Sequence, residues 1–159
     1  MKKINNNFTL ITTPNKKLKF NKSIFLGAWC IRNSTKTSKV KIISHHWNKI
    51  KKRNNDHKYL EKNYERILNI LVNRLNEIHG VKKKLGYWRI IVGPWLIFYI
   101  ATMFDRWEVL RSFFKEFKGN KINILYNKSD RNKILTYDTQ SFYDKASQND
   151  EWNYLVFLR

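Results

Sequence analysis

The chain has 159 residues, enough for one domain with a real core or for part of a larger one, and at 42% apolar and 15% aromatic it is too rich for a disordered chain. Its single cysteine, Cys30, excludes an internal disulfide and fits a reducing compartment. Lys and Arg number 32 against 12 Asp and Glu, and a formal net charge of +20 attracts anions without choosing among lipid headgroups, sugar nucleotides and nucleic acid.

In chain order, residues 8–13 (FTLITT) are β-branched and apolar and stop at Pro14-Asn15, which predicts a buried strand. Residues 23–26 predict a second short strand that runs into Gly27-Ala28-Trp29-Cys30, where the glycine permits a sharp turn or a close backbone approach. A polar loop over 33–39 precedes a third strand at 40–43 and then Ser44-His45-His46-Trp47. Residues 54–79 form the clearest helix, with Leu60, Tyr64, Ile67, Leu71, Leu75 and Ile78 on one face. Lys62, Arg66, Asn69, Asn73 and Asn76 face outward, Asn55 or Asp56 caps the start, and Gly80 the end.

The stretch YWRIIVGPWLIFYIATMFDRW (87–107) is central, and Ile90 to Phe104 carry no charge. That run is short for a membrane span and is divided by Gly93-Pro94. The expectation is an extended lead-in over 87–92, then a helix from Pro94 to about Phe117, opened by a Gly cap and a first-turn proline and buried on most sides. Gly119-Asn120 ends it, short strands follow at 122–125 and 134–137, and 138–149 reads as a loop. Asp150 then caps a last helix that is still apolar at Arg159, which suggests a truncated protein. Strands, long helices and strands again predict an α/β layered fold.

Four histidines, His45, His46, His57 and His79, lack any recognised zinc spacing, so no metal site is expected. His46, at a strand end beside Trp47, suits a general base or a phosphate or sugar contact, although an ordinary surface or core histidine explains it as well. Cys30 reads as a small buried hydrophobe rather than a nucleophile. Arg89 and the Asp105-Arg106-Trp107-Glu108 cluster flank the apolar run; they pair at the core edge, or Arg89 faces a diphosphate. No Walker loop, dinucleotide fingerprint or nucleophile elbow is present, and no cofactor is implied. The start lacks a long apolar stretch and a cleavage site, so a cytoplasmic location is expected. Abundant Lys, Asn and Ile also match AT-rich genomes, in which surface lysine accumulates without selection for a polyanion.

Several pieces, in order, resemble one family: LITT (10–13), FLGAWC (25–30), HW (46–47), LNEIHGV (75–81), YWRIIVGPW (87–95) and FDRWE (104–108), with a weaker likeness through Asp150-Glu151-Trp152-Asn153. They are similar to the amino-terminal part of a family of transferases encoded among bacterial O-antigen and surface-carbohydrate biosynthesis genes. The resemblance implies that residues 1–159 are the partial amino-terminal α/β domain of a longer protein, Rossmann-like and of two-domain glycosyltransferase type. It implies transfer of a sugar or related group from a nucleotide-activated donor to a lipid-linked glycan acceptor, at the inner face of the cytoplasmic membrane. The basic surface would hold the chain near anionic lipid. Trp29, Trp88, Arg89 and Arg106 are the expected substrate contacts and His46 the expected base. Where the family usually carries an acidic residue, this chain has Ala28; if that carboxylate serves in catalysis, its loss together with the missing remainder would leave this chain inactive. A small basic nucleic-acid-binding protein and a non-catalytic interaction module are the alternatives, although nucleic acid is not the expected partner.

Overall fold

A computed structural model describes residues 7–14, 23–31, 40–124 and 131–159; the expected loop at 33–39 lies outside them. The fold is α/β, in two compact units, one formed by residues 1–46 and 106–159 and the other by 47–105.

The first unit holds four strands, β1 (Asn7–Ile11), β2 (Ser23–Phe25), β3 (Lys41–Ile42) and β4 (Lys121–Ile124), in the order β3-β2-β1-β4 with every pair parallel. The register places Leu10 beside Ile24 and Ile124, so the apolar residues of neighbouring strands fall in rows. Parallel strands need long crossovers and covered faces, which is why Leu10, Ile11, Ile24, Phe25 and Leu26 are all buried. Val109, Phe113 and Phe117 complete this core. Phe117 stacks on Phe113 at 5.0 Å between centroids and meets Phe8 edge-on at 5.6 Å. At the sheet edge Lys41 bridges to Glu116 at 2.6 Å while its ammonium lies 4.6 Å from the Phe117 ring centre.

Two shorter helices complete this unit, α3 (Thr139–Gln148) and α4 (Asp150–Phe157). Residues 138–149 are therefore not a loop. The Asp138 carboxylate accepts from Ser141 N at 2.6 Å and the Ser141 side chain bonds back to the Asp138 backbone, a capping box that starts the helix. Those bonds from Ser141 hold the Asp138 carboxyl below its ordinary range. Asn149, not Asp150, caps α4 through its contact with Trp152 N. The strand expected at 134–137 is absent: a 3-10 turn spans Arg131–Ile134, and Tyr137 is 92% exposed. The Ile134 carbonyl accepts instead from the Trp152 indole at 3.0 Å.

The second unit is a helical hairpin of α1 (Ile50–His79) and the first part of α2 (Leu85–Glu116), a helix that continues into the first unit. α1 starts earlier than its apolar repeat suggests. Asp56 is no cap but a buried acceptor inside the helix, receiving the Trp47 indole at 3.0 Å and Lys52 at 2.5 and 2.7 Å. Leu60 and Leu68 are the buried apolar positions of α1, Ile78 is exposed, and Gly80 ends the helix at φ 61°, a conformation that suits glycine. Asn76 does not simply face outward. Its amide accepts from the Trp88 indole at 2.8 Å and from Lys83 N at 2.9 Å, and donates to Lys83 O at 2.9 Å, which fixes the turn into α2.

α2 is one continuous helix, so residues 87–92 are not an extended lead-in and Gly93-Pro94 is not its start. Glycine at 93 lets the two helices approach closely: an added Cβ would sit 2.6 Å from the Tyr64 hydroxyl of α1, which would have to move aside. Pro94 has no N–H to donate to the Ile90 carbonyl, and this break falls on an exposed side of the helix. Nor is α2 buried on most sides, because Ile90 is 78% exposed and Tyr87, Ile91 and Ile97 are exposed as well. By length and composition α2 could cross a membrane, a test that core helices of soluble proteins also pass.

Asn76→Ala strands the indole N–H of the buried Trp88, and should lower unfolding free energy by about 2 kcal/mol. Denaturant titration followed by tryptophan fluorescence measures it, with Asn73→Ala on the exposed face as the neutral control.

Candidate functional site at the strand ends

In a parallel sheet all carboxyl ends lie on one edge, and ligands of open α/β sheets bind there. Here that edge is extended by one backbone bond per strand, from Leu26 N to Ile11 O and from Ile43 N to Phe25 O, each 2.9 Å. Beyond β2 the chain turns tightly through Ala28–Cys30. Two side chains clamp this turn to the end of β1: the Trp29 indole donates to the Thr12 carbonyl at 2.9 Å, and the Cys30 thiol to the Ile11 carbonyl at 3.3 Å. A methyl group at residue 27 would overlap the six-membered ring of Trp29. Gly27 is therefore a steric requirement, for its backbone is extended and open to any residue.

The Trp29 ring runs parallel to Phe157 of α4, 3° apart with centroids 6.4 Å apart, and meets His45 edge-on at 6.3 Å. His45 in turn stacks on His46 at 4.6 Å. Trp29 keeps 38% of its surface exposed, whereas His46 is 8% exposed. The edge thus presents an open indole with a pair of imidazoles beside it.

Arg106 also reaches this edge, its guanidinium carbon 5.9 Å from the centre of the Phe157 ring. Its Nε donates to Asn153 Oδ1 at 3.0 Å and an Nη donates to the Ala146 carbonyl at 3.2 Å. Asn153 in turn donates to the carbonyls of Ala146 and Asn149. This network fixes the corner between α3 and α4 and hence the position of Phe157. Arg106 serves here as a brace; Glu108, which the sequence set beside it, is buried and takes Arg111 in a paired contact at 2.6 and 2.7 Å.

Of the five expected site residues, Trp29, His46 and Arg106 gather in the first unit. Trp88 and Arg89 belong to the second. Trp88 is buried and bonded to Asn76, and Arg89 grips Glu65 at 2.5 and 2.7 Å. The hydrogen bonds from Arg89 depress the Glu65 carboxyl and raise the guanidinium in return. Arg89 therefore pairs with Glu65 and not with the 105–108 cluster. The roles of Thr12, Phe157 and Asn153 at this edge are not legible in the sequence; a carbonyl, one position of a short helix and an asparagine give no periodic signal. The second unit has its own cleft of about 410 Å³, lined by Trp47, Arg53, Asn54, His57, Leu60 and Ala101.

The family model for LIC12162 family transferases matches residues 8–159. The chain belongs to that family. No curated protein and no solved structure matches it. For a LIC12162 family transferase, the match takes in both the strand-end cluster and the hairpin. Within the matched span, Arg106 of FDRW and Asn153 of EWN, distant in sequence, are hydrogen-bonded.

Burial pushes the Cys30 thiol up to about 11, so it is a neutral donor at physiological pH and not a thiolate nucleophile. Because the folded value is raised, its stabilising share holds below the unfolded value and fades as pH climbs through the folded one. At pH 8 a thiol reagent should label Cys30 on the order of a hundredfold more slowly than in the unfolded chain. Equal rates in buffer and in denaturant would contradict the clamp. Separately, Gly27→Ala should expel the indole from its seat, shifting Trp29 emission to the red in a background in which Trp29→Phe identifies its share.

Proposed function

We propose that this LIC12162 family transferase moves a sugar, or a closely related group, from a nucleotide-activated donor to a lipid-linked glycan acceptor in bacterial surface-polysaccharide synthesis, on the cytoplasmic side of the membrane. The observation that carries the proposal is the meeting of an exposed Trp29 ring and the His45-His46 pair at the carboxyl ends of parallel strands. An indole face suits the C–H face of a sugar ring, because it excludes water without demanding a fixed hydrogen-bond pattern. The strand order β3-β2-β1-β4 supports a Rossmann-like comparison, since that order reverses direction at β1 as such sheets do.

In the proposed reaction the acceptor hydroxyl oxygen forms a bond to the transferred carbon while the bond from that carbon to the donor phosphate oxygen breaks. The hydroxyl proton passes to His46, and the nucleotide leaves with the electron pair. Trp29 holds the ring under attack or the acceptor ring, Phe157 backs it, and Arg106 keeps Phe157 in place. Trp88 and Arg89 serve the hairpin that carries them.

Calorimetry with a panel of nucleotide sugars, followed by turnover with lipid-linked acceptors, tests this. Trp29→Ala should weaken sugar binding by roughly tenfold, from the loss of aromatic contact. His46→Asn should lower turnover by about a hundredfold or more while leaving donor affinity nearly unchanged. Failure of every nucleotide sugar to bind, together with salt-dependent retention on nucleic acid, would favour the basic nucleic-acid-binding alternative.

A further inference from the structure

The hairpin carries an apolar face that its own packing leaves open. On α2, Tyr87, Ile90, Ile91, Pro94 and Ile97 are exposed and recur at spacings of three and four, which places them in one stripe. The opposite side is the packed one: Trp88, Gly93 and Leu96 are buried, Trp88 is tied to Asn76 and Gly93 lies against Tyr64. An amphipathic surface helix normally sets charge on its open side. Here the open side is the greasy one.

Charge frames the stripe. Lys82, Lys83 and Lys84 are exposed in the turn just before α2, and Lys83 sets its ammonium 5.2 Å from the centre of the Tyr87 ring. The basic cluster is therefore joined to the first member of the stripe. Basic residues outnumber acidic ones through the unit as a whole. Apolar side chains bordered by lysines, with a tyrosine at the boundary, match the layering of an anionic bilayer surface: acyl chains below, phosphate above.

α2 as a whole is long enough to span a bilayer, but its open apolar stripe is not. From Tyr87 to Ile97 the stripe is about 15 Å long, half of a hydrocarbon core of about 30 Å. Crossing would also carry α1 inward, with its row of Lys, Arg and Glu side chains, since Arg89 and Trp88 bind it to α2.

We infer that the Tyr87–Ile97 stripe with Lys82, Lys83 and Lys84 is a docking face for anionic phospholipid, seating the hairpin in the plane of the membrane. This inference does not depend on the glycosyl-transfer reaction.

The test is sedimentation of the full chain with vesicles of phosphatidylglycerol, or of phosphatidylcholine, in 0.1 M salt. The chain should pellet with the anionic vesicles, release as salt rises, and stay in solution with the neutral ones. Changing Lys82, Lys83 and Lys84 together to Gln should weaken binding by on the order of a hundredfold. Ile90→Glu with Ile91→Glu should weaken it by at least roughly tenfold, and unchanged circular dichroism and melting would show that the variants fold. Absence of binding to phosphatidylglycerol overturns the inference, as does binding that ignores the isoleucine pair. A self-association abolished by that pair would assign the face to a second copy instead. Donor binding unchanged in the lipid-blind variants would separate this result from failure of the transferase proposal.

Discussion

The organisation of the strand-end site depends on one steric fact: residue 27 has no side chain. The Trp29 ring folds back over that bare backbone and spends its N–H on the Thr12 carbonyl, so the turn after β2 is pinned to the end of β1. Cys30 repeats the anchor one residue later and adds its own buried volume. With the ring fixed, Phe157 and His45 have a defined surface to meet, and the Arg106–Asn153 brace holds Phe157 there from the far end of the chain. Each contact is modest. Together they turn the ends of three short strands into a shaped surface.

The hairpin follows a different logic. Its polar bonds are made by a few residues that each serve several partners: Asn76 closes the turn and holds Trp88, and Asp56 gathers Trp47 and Lys52. Such centres matter because a buried N–H left without an acceptor costs more than the bond itself contributes. The Arg89–Glu65 pair adds geometry more than stability, since both side chains are largely solvated. Within the hairpin, what is most exposed on α2 is apolar, and that imbalance is the unit's most informative surface.

Much of this was legible. Runs of β-branched and apolar residues marked β1 to β4, Gly80 marked the end of α1, and the apolar residues after Asp150 marked α4. Where structure and sequence pattern part, the cause is shared: specific contacts override hydrophobic period and turn residues. Gly93-Pro94 looks like a boundary, yet the glycine answers Tyr64 across the hairpin and the proline lies on an exposed side, so the helix runs through both. Residues 138–149 lack an apolar run, but Asp138 and Ser141 supply the capping box and Phe142 with Ala146 supply a short inner face. Residues 134–137 are apolar enough for a strand, but the Ile134 carbonyl is bonded by Trp152 and lies in a tight turn. At the site, Trp29 and His46 could be named in advance because aromatic and titratable side chains attract notice. Phe157, Thr12 and Asn153 could not, because their importance comes from where the fold delivers them.

We propose that the ligand seat is the carboxyl edge of β1, β2 and β3, with Trp29 at its centre. A nuclear magnetic resonance map of backbone and indole shifts during titration with a bound nucleotide sugar tests this most directly. The largest changes should cluster at Thr12, Gly27 to Cys30 and His45-His46, with the Trp29 indole N–H among the first to move. Changes confined instead to the cleft lined by Trp47, Arg53 and His57, with the Trp29 signal unmoved, would contradict it.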